Sequence, residues 1–362
     1  MTFSGSYHAS DVRFLLKPLA LHDFVDVPEK ERLIASGKRH YSEMLSPELL
    51  PSARYLQLFE QACFDNLDRM ARDCLALAAM IAARRTGPVT LVSLARAGTP
   101  VGVILKRLLE TNLDRAATHY SVSIIRDRGI DQVALDFILA QGHAAGSIVF
   151  VDGWTGKGVI ARELKGAIDD YNARRGSAID SGLYVLSDLA GTAACAASCE
   201  DYLIPSSILN ATVSGLVSRS ILNDAIGPTD FHGCVYYEQF AGHDQSRGFA
   251  DLVAARAGEL AGGAAVACGP ADREAAARIS QAFMRTAMHA HGVSDPNLIK
   301  PGVGEATRVL LRRSPRLLIL RDPAHPAVAH LRQLAHEKTV PVMIDPVLPY
   351  HAVSLIRSGS DA

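Results

Sequence analysis

The stretch Ile148-Val-Phe-Val-Asp-Gly-Trp-Thr-Gly-Lys-Gly-Val-Ile160 decides the fold class. Its first four residues form a continuous apolar run, as in a strand covered on both faces. The run delivers Asp152 to its end, and small residues then turn the chain. Ile160, Leu164, Ala167, Ile168 and Tyr171 follow at helical spacing, with Gly176 as the stop. The backbone N–H groups of Thr155, Gly156, Lys157 and Gly158 would point outward at the helix start, where the dipole and close approach at glycine favour a phosphate. Thr155 adds a hydroxyl and Lys157 a charge. The turn is not a P-loop, because the Gly153-to-Lys157 spacing is too short and Gly158 replaces the Ser or Thr. A glycine-rich turn with no ligand is the alternative.

Four similar runs flank this one: Pro88–Leu94, Tyr120–Ile125, Gly182–Leu186 and Tyr202–Pro205. Between the first two, Pro100 fits a first helical turn, followed by Val101, Ile104, Leu105 and Leu108 at helical spacing. Strand-helix alternation predicts an α/β fold with an open parallel sheet, whose ligands bind at the carboxyl ends of the strands. Two more of those ends carry cations. One is Ala95-Arg96-Ala97-Gly98-Thr99-Pro100, and the other is Arg126-Asp127-Arg128-Gly129-Ile130-Asp131. Three successive anion-favouring ends suggest a ligand with separated phosphates.

Residues 1–85 read as mostly helical, with turns at Pro28, Gly37 and Pro47–Pro51. Residues 258–279 read as an Ala/Gly-rich loop or boundary approach. A second α/β pattern begins after Asp295-Pro296, with helices around 304–313 and 327–337 and strands at 317–320 and 341–344. The chain has 362 residues, 48% of them hydrophobic, and 37 Lys or Arg against 38 Asp or Glu. This supplies a packed core and argues against a polyanion-binding surface over the whole chain. The longest apolar run, Cys74–Ala83, is too short for a membrane span. No export signal is visible at the N-terminus and the six cysteines are scattered, so a cytoplasmic, reducing setting without membrane contact is expected.

The loops resemble those of the type I phosphoribosyltransferases over residues 86–205. Arg96-Ala97-Gly98 looks like the pyrophosphate loop, and residues 151–156 look like the phosphoribosyl-diphosphate (PRPP) loop. The resemblance implies PRPP binding by Arg96, Ala97, Gly98, Asp152, Gly153, Trp154, Thr155, Gly156, Lys157 and Gly158. It also implies a catalytic lid at Arg126 and Arg128, and Mg2+ near Asp152. The family's second acid in this loop is replaced by Gly153.

Ser36–Met44, the same loops and Asp201–Arg219 resemble a bacterial family from tellurite-resistance and stress-response gene clusters. That family carries two labels: a phosphoribosyltransferase for a nucleoside-like metabolite, and the cysteine protease StiP. Lys300-Pro-Gly-Val-Gly-Glu-Ala-Thr-Arg308 and the segments after it look like the Pelota RNA-binding fold, with Gly304 where Asn is usual. Residues 295–362 hold nine Lys or Arg against six Asp or Glu, which fits RNA weakly, and a small α/β domain used for packing or protein contact is the alternative. The resemblance points to Lys300, Gly302, Glu305 and Arg308. At least one of Arg312 and Arg313 is expected to face solvent.

A protease needs a thiolate beside a histidine. Candidates are Cys195, Cys199 and Cys234, with His232 or His243; small buried core residues are the alternative at the cysteines, and a zinc site at Cys195, Cys199, His232 and Cys234 is a weaker one. Ser206, Asn210, Ser214 and Arg219 are expected on the polar side of a helix. There they would meet an acceptor base or simply solvent.

The expectation drawn is a phosphoribosyltransferase-like domain at 1–294, with its core at about 86–205, and a Pelota-like domain at 295–362. The reaction expected is transfer of ribose 5-phosphate from PRPP to a base-like acceptor, with Mg2+ as cofactor and structured RNA as a second partner. A cysteine protease and a non-catalytic PRPP- or RNA-binding sensor are the alternatives, and a homodimer is left open.

Overall fold

Strands β3 (Val89–Ala95) and β6 (Ile148–Thr155) lie side by side and parallel at the centre of the main sheet. Every residue of β6 is buried, as a continuous apolar run requires. From β3 the chain crosses through α3 (Gly98–Asn112) to β4 (Ala117–Ile125) on one side. From β6 it crosses through α5 (Val159–Arg175) to β7 (Leu183–Asp188) on the other. The two crossovers diverge, so the carboxyl ends of β3 and β6 form a topological switch point. There the added Cβ of an alanine at Gly98 would lie 2.6 Å from the Val151 carbonyl oxygen.

The computed structural model describes residues 2–20, 24–261 and 267–357. The sheet is completed by β1 (Arg13–Leu15) beside β4 and by β8 (Cys195–Ser198) beside β7, both parallel. The short β5 (Gly129–Ile130) turns back antiparallel to β4, and β2 (Lys17–Pro18) pairs with β9 (Gly233–Cys234). Helices α2 (Ala53–Arg84), α3 and α6 (Ser246–Leu260) cover one face. Helices α4 (Gln132–Ala140) and α5 cover the other. The side chains of Ser52 and Asp131 accept from the first-turn N–H groups of Tyr55 and Ala134 and start α2 and α4.

The C-terminal sheet runs β10 (Ile299–Pro301), β13 (Ala352–Ile356), β11 (Pro315–Leu320), β12 (Val342–Ile344). Helices α7 (Pro270–Ala290), α8 (Val303–Arg312) and α9 (Ala329–Glu337) accompany it. Val303, Ala306, Val309, Leu310 and Leu331 belong to the same buried cluster as Leu77, Leu105 and Tyr202. The apolar core therefore runs across residue 295. No helix among the described residues is long and apolar enough to cross a membrane.

Several expectations need correction. Pro28 stands in the first turn of α1 (Val27–Ala35), capped by Asp26, rather than in a loop. Residues 202–205 form no strand: the smaller Cys195–Ser198 takes the sheet edge, where slim side chains fit beneath α2. Residues 270–279 lie within α7, opened by Gly269-Pro270, while 262–266 lie outside the described residues. Residues 206–219 are not a helix. They form two short 3-10 turns, Pro205–Ser207 and Ala211–Val213. Gly215 and Leu216 then adopt positive φ (77° and 60°), which no right-handed helix allows.

Candidate functional site

The loop after β6 is covered by the C-terminal module. A Cβ at Gly156 would lie 2.8 Å from the Pro301 carbonyl oxygen and 3.0 Å from Glu305 Cγ. Gly158 N–H donates to Thr155 Oγ1 at 3.0 Å, closing the turn on itself. The Lys157 ammonium donates to the Pro296 carbonyl, and burial, with Lys300 adding to it, holds its pKa at about 7. Trp154 lies under Arg308, whose guanidinium carbon is 4.3 Å from the ring centroid. Gly304 lets α8 come this close, since a Cβ there would meet Trp154 Cε2 at 2.5 Å. Asp152 is buried, and burial raises its carboxyl to about 6 against Arg308 and the Gly153 N–H.

Residues expected in two separate sites thus share one cavity of about 230 Å³. Asp152, Trp154, Thr155, Gly156 and Lys157 meet Lys300, Glu305 and Arg308 there. Glu305 takes Arg308 at 2.7 Å and Lys300 at 4.0 Å, so a carboxylate stands over the turn. Gly302 turns the chain into α8 at φ 90°. Among the described residues no cluster of three or more His, Cys, Asp or Glu could hold a metal ion. Asp152 is the lone acid of its loop.

The lid expected at Arg126 and Arg128 is a tight β4–β5 turn held from two sides. Arg126 N–H donates to the Tyr41 hydroxyl at 2.8 Å, and Glu163 accepts from Asp127 N and Gly129 N. Arg128 reaches Glu43 at 3.6 Å. Arg96 is buried and turned away from the β6 loop, paired to Glu48 at 2.6 Å and to the Val217 carbonyl. Ala97 and Gly98 enter α3 against Gly153 and Asp152.

The segment 205–219 is internal rather than a polar helix face. Ser206 and Ser214 are buried. Asn210 Oδ1 accepts from Arg96 and Arg312, and Arg219 donates to the carbonyls of Tyr41 and Met44. Arg313 makes a two-pronged pair with Glu31. Contrary to the solvent-facing expectation, Arg312 and Arg313 both turn inward, onto Asn210 and α1.

Cys63, Cys74, Cys195 and Cys234 are buried free thiols, each pushed up by burial, Cys63 to about 12. Cys199 is bonded to Cys268, 69 residues away. This pair departs from the expectation of scattered reduced cysteines, and it takes Cys199 out of any zinc set with Cys195, His232 and Cys234. His232 Nδ1 is 2.7 Å from Ser123 Oγ, and His243 is exposed. A histidine that the sequence did not single out shares a cavity with a cysteine. His351, Asp201, Arg69, Arg321 and Tyr350 line about 300 Å³ with Cys199. Burial, with His325 and the arginines, lowers His351 to about 4, so its ring is neutral at pH 7.

Comparison with known proteins decides between the two labels. The family model described as tellurite-like stress resistance cysteine protease StiP matches residues 5–254. The cysteine protease StiP of Acinetobacter baylyi is 41% identical over 367 residues, covering 98% of this chain and 94% of that protein. The chain belongs to the StiP family. A model of the Pelota RNA-binding domain matches residues 278–358. A solved sphingosine-1-phosphate lyase of Burkholderia pseudomallei is 13% identical, covering 86% of this chain and 77% of its own, at a TM-score of 0.22 that carries no argument.

StiP membership overturns the expected PRPP-dependent transferase, because the relative aligned over almost the whole chain bears the name of a cysteine protease. The loops that suggested PRPP are strand-to-helix turns of a doubly wound sheet, where small residues also serve packing. Of their glycines, Gly156 makes room for Pro301 and Glu305, Gly98 for the Val151 carbonyl and Gly158 for Thr192. No signal in one sequence pairs Cys199 with Cys268 or brings His351 to it, since 69 and 152 residues separate them.

Proposed function

We propose that the chain is a thiol-dependent peptidase of the StiP type, with Cys199 as its nucleophile once the bond to Cys268 is reduced. The observation that carries this is the shared cavity of Cys199 and His351; the four free cysteines lie in the apolar interior with raised thiol pKa values. A dithiol reductant opens the Cys199–Cys268 bond and is itself oxidised to a disulfide. Arg69 and Arg321 line the cavity and favour the Cys199 thiolate. The His351 ring, now held by Arg321 at 2.9 Å from Nδ1, takes up the thiol proton and passes it to the leaving amine once that guanidinium swings away and the ring's basicity recovers. The thiolate forms a bond to the peptide carbonyl carbon as the C–N bond breaks. Water then releases the acyl group as a carboxylic acid and restores the thiol.

The test is alkylation of the reduced protein with iodoacetamide, followed by peptide mass mapping and a casein-cleavage assay. Modification of Cys199 should track the loss of cleavage. Full cleavage with Cys199 fully alkylated would exclude it as nucleophile.

The Pelota match and the basic excess after residue 295 support a second reading, RNA binding. Lys300 and Arg308 line both the cleft beside Trp154 and the smaller cavity next to it, so these are the openings through which RNA would reach them. A gel shift of the full chain with a kink-turn RNA and a plain hairpin should show binding that weakens as salt rises, through counterion release. No shift at low salt with either RNA would remove this reading.

A further inference from the structure

A second cluster of charge, around Lys30, Arg219 and Arg312, lies one helical turn of α8 beyond Arg308 and Trp154, and neither reading above rests on these three residues. Lys30 projects from the inner face of α1 and is only 5% exposed. Among the described residues its ammonium makes no hydrogen bond or ion pair. Its neighbours are cations, Arg219, Arg312 and Arg313, with Glu31 as the nearby acid. Glu31 is already taken by Arg313, and Glu48 by Arg96. Arg312 has the neutral Asn210 amide oxygen as its partner, and Arg219 has backbone carbonyls. Three buried or half-buried cations therefore converge with no carboxylate bonded to any of them, although Glu48 and Glu337 line the larger cavity beside them and Glu305 the smaller.

Such a group is costly to bury unless something anionic completes it. The space for it is present. Cavities of about 440 Å³ and 160 Å³ are both lined by Lys30, Arg219 and Arg312. The larger has apolar walls from Tyr55, Ile208, Leu209 and Phe240, in the size range of small-molecule sites. Guanidinium forks suit the several oxygens of a phosphate, and the walls suit an apolar or planar body.

We propose that Lys30, Arg219 and Arg312 form a binding site for the phosphate group of a small organic phosphate, whose body lies against Tyr55 and Ile208. The site is separate from the Cys199 cavity, its smaller cavity adjoins the one over the 155–158 turn through Lys300, Glu305 and Arg308, and it joins α1, the 205–219 segment and α8 around one ligand. Its occupancy would couple the C-terminal module to the rest of the chain. Burial and the facing arginines hold the Lys30 pKa near 7, and an anion beside it would restore the charged form.

The probes are phenyl phosphate, inorganic phosphate and phenol, titrated into the full chain by calorimetry at pH 6.5. Phenyl phosphate should bind one to one and at least tenfold more tightly than inorganic phosphate, and phenol should not bind. Lys30→Met should weaken phenyl phosphate at least tenfold and Lys30→Arg by less than threefold, with circular dichroism confirming that both fold. Arg312→Gln serves if Lys30→Met does not fold. Lys157→Met, at the other cavity, should keep the wild-type affinity. Unchanged binding in Lys30→Met, or loss in Lys157→Met instead, would overturn the assignment. So would the absence of phosphate binding at millimolar concentration. Because the readout is binding, the result stands apart from any test of peptide cleavage.

Discussion

Asp201 Oδ1 accepts the backbone N–H of Val303 at 2.9 Å, so a side chain of the first module caps the helix α8 of the second. Its Oδ2 takes the His351 N–H at 2.8 Å. Burial raises the Asp201 carboxyl to about 6, against the opposing pull of these N–H groups and that of Ala352. Asp201→Ala leaves these donors unpaired and should cost roughly 2–3 kcal/mol in urea unfolding. A loss under about 0.5 kcal/mol would show that water replaces the carboxylate without penalty.

The shared core predicts that the second module cannot be removed cleanly. Deleting residues 295–362 uncovers Trp154 and the cluster that α8 fills, so the remainder should be recovered as aggregate or partly folded chain. A monomeric remainder with a cooperative melt at the wild-type temperature would contradict this.

Gly304 is the contact point of that interface. Gly304→Ala places a methyl 2.5 Å from Trp154 Cε2 and should cost roughly 1–3 kcal/mol by overpacking. The protein has a single Trp, so its emission reports this cleft directly. A red shift is expected as α8 is pushed away, and an unchanged spectrum with unchanged stability would place Trp154 elsewhere.

Lys30 gives a pH dependence of known sign. Its folded pKa, near 7, lies below its ordinary value of 10.5, so folding favours the neutral amine. The penalty is fully present below pH 7 and fades as pH rises from 7 to 10.5. The facing groups are Arg219, Arg312, Arg313 and Glu31 beside it, with Tyr41, Glu48, Lys300, Glu305, Arg308, Glu337 and Lys338 around the two cavities. Lys30→Met should be more stable than the wild type at pH 6.5 by roughly 2 kcal/mol, and this gain should shrink by pH 9. A gain that is absent or constant with pH would show that the Lys30 ammonium is not penalised.

The central strands β3, β4, β6 and β7 were legible because a strand covered on both faces must be apolar at nearly every position. The helix after Pro100 was legible from its spacing. β8 was missed because Cys195-Ala-Ala-Ser198 carries little apolar bulk, while the bulkier Tyr202–Ile204 is buried as irregular chain. The site was far less legible. Lys30 lies in the charged run Pro28-Glu-Lys-Glu-Arg32, which carries no apolar pattern to mark it, and only the fold turns it inward. Gly156 reads as a ligand-approach position, yet what approaches it is another part of the same chain.

The most direct test of the peptidase assignment compares casein cleavage by the wild type, Cys199→Ser and Cys268→Ser, each with and without dithiothreitol. The wild type should cleave only when reduced, and Cys268→Ser should cleave in both conditions because its Cys199 thiol is free. Cys199→Ser should lose at least 10³-fold in both, as removal of a nucleophile does. Reductant-dependent cleavage that survives in Cys199→Ser at the wild-type rate would contradict the account and return the search to the buried thiols.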